Sequence, residues 1–228
     1  MNQFETGPLV PAGTALLPDK DVELCGKSVR IRHVDASRDA DALFRATHGD
    51  ETDTAQWTYM GYGPFADEAA MRSWMEGIQA SRDPLFMTVE DVASGTPLGV
   101  ISFLNIMPDH RSIELGNIWY VPAVRRSMVN TETLYLLLRE CIERLGFRRV
   151  EWKCDNLNER SKVAALRLGF MFEGVFRQHL IVKGRNRDTA WFALLDRDWE
   201  QARENFERFL YDPACTDSLS QLNERLYG

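Results

Sequence analysis

Apolar positions change period several times along this chain of 228 residues, and the changes mark out its elements. Residues 28–33 alternate polar and apolar side chains, as a half-buried strand does. Residues 35–46 then carry Ala36, Ala40, Leu43 and Phe44 at helical spacing. A second helix is predicted over 67–81, with Met71, Trp74, Met75 and Ile78 on one face. Strands follow over 85–91, 97–107 and 112–121, and a turn at 109–112 makes the last two an antiparallel hairpin. The order then changes to helix (131–146), strand (149–155) and helix (159–168). Strands over 171–183 and 188–195, turning through 184–187, and a helix from Arg197 to Tyr211 complete the pattern.

Antiparallel strands followed by one strand–helix–strand crossover predict an α/β fold with a mixed, mostly antiparallel central sheet. The folded domain is expected over 28–211. Residues 1–27, punctuated by Pro8, Pro11, Gly13 and Pro18, read as an irregular arm laid over the domain or over a partner subunit. Residues 212–228 read as a short tail, and the arm and the last helix together suggest a homodimer.

Composition narrows the function. Hydrophobic residues make up 44%, enough for a substantial core, while 34 acidic against 27 basic residues give a net charge of −7. That charge opposes non-specific nucleic-acid binding, which needs a basic face. No apolar run approaches membrane-spanning length, and no secretion signal is visible. Cys25, Cys141, Cys154 and Cys215 form no CxxC pair, so reduced thiols in a cytoplasmic protein are expected. His33, His48, His110 and His179 make no HExxH, and no metal site is predicted. GxGxxG and GxxxxGK[ST] are both missing.

The candidate chemistry centres on a basic loop, 121–130, which links a strand to a helix. Unpaired N–H groups at a helix start attract phosphate, and Arg125 and Arg126 lie just upstream. Asn130 or Thr131 can cap this helix and Gly146 can close it, with Leu134, Leu137, Leu138, Cys141, Ile142 and Leu145 facing the core. A second strand–loop–helix follows, in which Asn158 is a cap candidate and Ala164-Ala165 leaves the helix surface open to close approach. The bland reading of either unit is a capped helix on a sheet.

Four segments in order carry a resemblance: Pro97-Leu-Gly-Val-Ile-Ser102; Ile113 to Val121 with the basic loop and Thr131-Glu132; Asn158-Glu-Arg-Ser161 leading to Leu168-Gly-Phe170; and Phe172-Glu-Gly174 followed by Phe176-Arg177. From about residue 28 to 199 the chain resembles the GCN5-related N-acetyltransferases, in the branch similar to the ribosomal-protein alanine acetyltransferases. The resemblance implies splayed central strands, with the pantetheine arm of acetyl-CoA between 112–121 and 149–155. It implies that backbone near Val121 holds a pantetheine amide, and that Arg125, Arg126, Ser127, Val129, Asn130 and Thr131 wrap the pyrophosphate. Asn158 would bond the pantetheine arm, and Ser161 would lie near the thioester. Where the family's loop carries glycine and a small residue, this chain has Met128 and Asn130. Met128 fits if it adopts a helical conformation with its side chain turned away, and Arg126 can supply lost attraction.

Acetylation of an amine needs a neutral nucleophile, a polarised carbonyl and a proton for the departing thiolate. Glu114 is the first candidate base, and a solvated strand carboxylate is the competing reading. Glu173 and His179 are weaker candidates. Ser161 could protonate the thiolate or simply belong to the helix cap. Residues 48–68 combine Asp50, Glu51, Asp53, Asp67 and Glu68 with Trp57, Tyr59, Tyr62 and Phe65, a composition suited to a cationic amine or to a surface loop with buried anchors. The expected activity is acetyl transfer to a primary amine of a small molecule or a protein N-terminus. The rival is a non-catalytic acyl-CoA sensor or scaffold.

Overall fold

In a computed structural model that describes residues 6–49 and 55–226, eight strands join into one sheet in the order β1-β2-β3-β4-β5-β6-β8-β7. The strands are β1 (Leu24–Cys25), β2 (Val29–His33), β3 (Leu85–Asp91), β4 (Pro97–Met107), β5 (Ser112–Tyr120), β6 (Arg149–Asp155), β7 (Met171–Val182) and β8 (Arg185–Leu195). Every neighbouring pair is antiparallel except β5–β6. β1 lies inside the segment expected to be irregular. The arm before it runs along its own chain, with Ala15 N–H on the Pro108 carbonyl and Leu16 N–H on that of Leu145.

Helices α1 (Ala36–Thr47) and α2 (Glu68–Gln79) start where Asp35 and Asp67 accept backbone N–H groups as N-caps. Helix α3 (Val129–Arg139) begins two residues before the sequence-based start and continues through a π turn at Glu140–Arg144, closed by Gly146 at φ +78°. Helix α4 is Glu159–Arg167 and α5 is Asp196–Tyr211. Helix α3 is buried all round rather than on one stripe, because α5 covers its outer side. Tyr135 stacks there among Trp199, Phe206 and Tyr211. The segment after Tyr211 forms a further short helix, α6 (Leu219–Asn223), whose Leu219 and Leu222 are buried.

Two buried polar knots fix these layers. Glu90 accepts from Arg30, Arg32 and Arg38, and Arg32 grips Asp39 with two nitrogens at 2.6 and 3.0 Å, locking α1 to β2 and β3. Glu132, on α3, accepts the Lys27 and Ser28 N–H groups, the Ser28 hydroxyl and the Tyr211 hydroxyl. Burial pushes the Glu132 carboxyl up, yet the donors of Ser28, Lys27 and Tyr211 overcome it and hold it below the ordinary range. Gly26 leaves room for this knot, since a Cβ there would stand 2.5 Å from Glu132 Oε1.

A depressed folded-state carboxyl stabilises the protein above its unfolded pKa and loses that contribution as pH falls through the folded value. Glu132→Gln is therefore expected to cost about 2 kcal/mol at pH 7. In urea titrations the gap to the unmodified protein should close as pH drops below the ordinary carboxylate range; a gap independent of pH would refute this role.

Candidate active site

β5 and β6 pair over only three residues each, Ser112–Glu114 against Arg149–Glu151, and then part. Each keeps its outer neighbour: β5 stays on β4 to the Gly99–Tyr120 pair, and β6 stays on β8 to the Asp155–Thr189 pair. An extra residue in β5, where Asn117 takes φ +54°, shifts its register against β4 between Ser102 and Val100. Beyond that bulge β5 hugs β4 so closely that a Cβ on Gly99 would overlap the Trp119 carbonyl oxygen. The opening is a cleft of about 460 Å³, lined among others by Gly116–Tyr120 on one side and Trp152–Asp155 on the other. Backbone polar groups on the parted edges have lost a ladder partner and are free for a ligand.

At one end lies the basic loop. Arg125, Arg126, Ser127 and Asn130 line the cleft. Ser127 stitches the loop, donating its hydroxyl to the Val124 carbonyl and accepting Val129 N–H. The left-handed conformation falls on Arg126 (φ +63°), while Met128 is ordinary right-handed helix and half exposed. Among the described residues, the amides of Asn130 and Thr131 donate to nothing, and neither Arg125 nor Arg126 has a carboxylate partner. Val129 and Thr131 are buried and outside the lining, and Thr131 Oγ1 is occupied by Arg167 at 3.0 Å. Val121 is also outside it: its N–H donates to the Leu98 carbonyl and its carbonyl accepts from Val124. Free strand backbone facing the cleft therefore comes from residues before Val121.

Toward the other end, Glu114 is 5% exposed and accepts from Asn105 Nδ2 at 2.6 Å and Lys153 Nζ at 2.9 Å. Burial raises its carboxyl above the ordinary range, with Lys153 and Asn105 opposing only part of the rise. Lys153 also meets Glu151 at 2.8 Å and sits 3.8 Å from the centre of the Trp191 ring. Sequence reasoning missed Lys153. The signal was the alternation Glu151, Lys153, Asp155, which places all three on one face of β6. Across the cleft, Asn158 caps α4 through its side-chain oxygen on Ser161 N–H, leaving its amide nitrogen free. Ser161 Oγ accepts the Trp152 indole N–H at 2.9 Å, and its hydroxyl also lies within hydrogen-bonding reach of the Cys154 sulfur. Cys154 lines the cleft too, but burial pushes its thiol up, which keeps it protonated.

Other sequence candidates lie elsewhere. Glu173 pairs with Arg149, and His179 bonds Thr189 at 3.0 Å outside the cleft. Of the acidic-aromatic segment, Asp50, Glu51 and Asp53 fall outside the described residues. Asp67 caps α2, Glu68 pairs with Arg45, and Trp57, Tyr62 and Phe65 pack together against Trp74 and Trp119. What this segment contributes is a roof of Gln56, Tyr59, Met60 and Gly61. Tyr59 donates to the Leu157 carbonyl at 3.1 Å, and Lys183 at the hairpin turn donates to the carbonyls of Trp57, Tyr62 and Gly63.

A model of the acetyltransferase (GNAT) domain matches residues 28–171. The chain belongs to the GNAT acetyltransferase family. A GCN5-related N-acetyltransferase from Brucella melitensis is 35% identical and superimposes with a TM-score of 0.87, over 93% of this chain and 98% of that one. A GNAT-family structure from Chromobacterium violaceum is 37% identical with a TM-score of 0.78, over 87% and 98% of the two chains. YdaF of Bacillus subtilis, provisionally named a ribosomal N-acetyltransferase, is 31% identical over 106 residues, 46% of this chain and 57% of that protein. The match thus spans little more than half the length of that curated relative.

GNAT enzymes use acetyl-CoA, and the residues present fit it. Two cationic side chains and the free Asn130 amide stand where a diphosphate would lie, and unpaired strand edges continue from them to Glu114. The buried Asn130 Oδ1 has no partner, consistent with a missing donor. Met128 does not obstruct the loop, because Arg126 takes the conformation that glycine commonly fills. Replacing both Arg125 and Arg126 by alanine should weaken CoA binding by about tenfold or more in calorimetry, more at low salt than at high. Undiminished affinity would remove the loop from the site.

Proposed function

We propose that this GNAT protein transfers the acetyl group of acetyl-CoA directly to a primary amine, with Glu114 as the base. The carrying observation is a buried carboxylate at the point where β5 and β6 part, facing the same cleft as Ser161 and the basic loop. The donor supplies an activated thioester; the chain supplies the rest. Arg125, Arg126, Ser127 and Asn130 would hold its diphosphate, and Asn158 would hold its pantetheine arm. Val129 and Thr131 support the loop from beneath. Glu114, made more basic by burial, accepts a proton from the attacking amine. Lys153 positions it and compensates its charge. Ser161, with a lone pair committed to Trp152, gives its proton to the departing sulfur. The protonated Cys154 thiol favours direct attack over a thioester on the protein.

The acceptor could be a small molecule or the first residue of a protein. The roof formed by residues 56–61 favours a compact amine entering a pocket. No helix among the described residues is long and apolar enough to cross a membrane, and the four cysteines are free. The free thiols support the cytoplasm as the site of action. For a homodimer the arm gives little support, since it lies on its own domain. The exposed edge strand β7, with Phe172, Phe176, Leu180 and Ile181 outward, supports it better.

Glu114→Gln should lower kcat about 10²-fold or more while leaving CoA affinity near its original value. Because the Glu114 carboxyl is raised, the rate should climb with pH through a value above the ordinary carboxylate range, and the glutamine variant should lack that limb. Unchanged kcat in the variant would remove Glu114 from the role. Binding of labelled acetyl-CoA with no transfer to any amine in a broad panel would favour a sensor over an enzyme.

A further inference from the structure

We infer that the acceptor side of the cleft reads an anionic group on the amine substrate through Arg187, with Gln56 as a second donor. The inference rests on the acetyl-transfer reading above and gives its substrate a chemical class. Arg187 lies on β8 and lines the cleft with Gln56 and Tyr59. Its Nε is buried without a hydrogen-bond partner, and the Gln56 amide nitrogen is in the same state. No carboxylate among the described residues pairs with the Arg187 guanidinium. Several similarly shielded arginines are paired with carboxylates, Arg32 with Asp39 and Glu90, Arg72 with Asp41, Arg149 with Glu151 and Glu173, while Arg167, which has none, places both terminal nitrogens on the Thr131 hydroxyl. A partly desolvated cation facing a cavity without a counter-ion is costly unless a ligand supplies one.

The cleft as a whole has the same bias. Arg125, Arg126, Lys153, Arg160 and Arg187 line it against Glu114 and Asp155, although the chain carries a net charge of −7. Arg125 and Arg126 stand at the basic loop, where the donor's diphosphate is met. Arg187 stands on another wall, under the roof that Tyr59 and Lys183 hold in place. Four residues along β8, Trp191 carries the Lys153 ammonium on its ring, and side chains at that spacing share a strand face. That interval is roughly 13 Å of strand. An amine at Glu114 and an anion at Arg187 would therefore stand apart along the cleft. The fitting acceptor carries its carboxylate or phosphate several bonds from the amine.

The probes are 6-aminohexanoate and 1-aminohexane, which differ in the carboxylate. With the full-length protein and acetyl-CoA, kcat/KM should favour 6-aminohexanoate by about tenfold or more, chiefly through KM. Arg187→Gln should remove most of that preference, Arg187→Lys should recover part of it, and CoA affinity should stay within about twofold. Equal use of the two amines, or a preference that survives Arg187→Gln, overturns the inference. So does a matching loss of CoA affinity, which would assign the arginine to the donor's phosphates. If neither amine is acetylated, calorimetry on CoA-saturated protein decides. Tighter, Arg187-dependent binding of 6-aminohexanoate upholds anion recognition and refutes only the transfer reading; indifferent binding refutes anion recognition itself.

Discussion

The parting of β5 from β6 is the constraint on which the rest depends. Three residue pairs hold the two strands together at one end, and each strand then follows its outer neighbour. The bulge at Asn117 turns β5 toward β4, and Gly99 allows the close approach that completes the turn. A buried sheet pays heavily for broken ladder bonds unless something else satisfies them. Both crossover elements serve the opening: α3 delivers free amides to its far end, and α4 delivers Asn158 and Ser161 to its side. Glu132 fixes the first turn of α3 against the β1–β2 turn, so the geometry of the basic loop is anchored deep in the fold.

Charge pairing separates architecture from chemistry in this molecule. Glu90, Asp39 and Glu132 are buried and fully engaged by neighbours, and they bind layers together. Glu114 is as buried but opens onto the cleft, and there burial outweighs its donors and lifts the carboxyl. Among cations the division is parallel. Arg32 and Arg149 complete ion pairs within the fold, whereas Arg125, Arg126 and Arg187 face the cleft without carboxylates. Satisfied charges hold the walls, and unsatisfied ones describe the ligand.

Much of this was legible from residue order, because the period of hydrophobicity and the cap residues are local signals. Asp35, Asp67 and Asn158 cap the helices they precede, and Gly146 closes α3 in the left-handed region. The mixed sheet followed from the switch between hairpins and a crossover. Long-range effects escaped. Nothing near Tyr135 announces that α5 will cover it, so α3 read as amphipathic when it is enclosed. Placing the last hairpin turn at 184–187 hid Arg187. The turn is Lys183-Gly184, both at positive φ, and the following residues are strand. Val121 looked suited to hold a ligand by position alone, yet β4 and the next turn had already taken its backbone groups.

The central claim is that the gap between β5 and β6 is a seat for an acylated thiol chain. A crystal of the protein grown with saturating CoA tests it most directly. Density for the pantetheine arm should run between residues 116–120 and 152–155, with the diphosphate on Arg125 to Thr131 and the sulfur near Ser161. Ordered CoA bound elsewhere, with the gap filled only by water, would contradict the account.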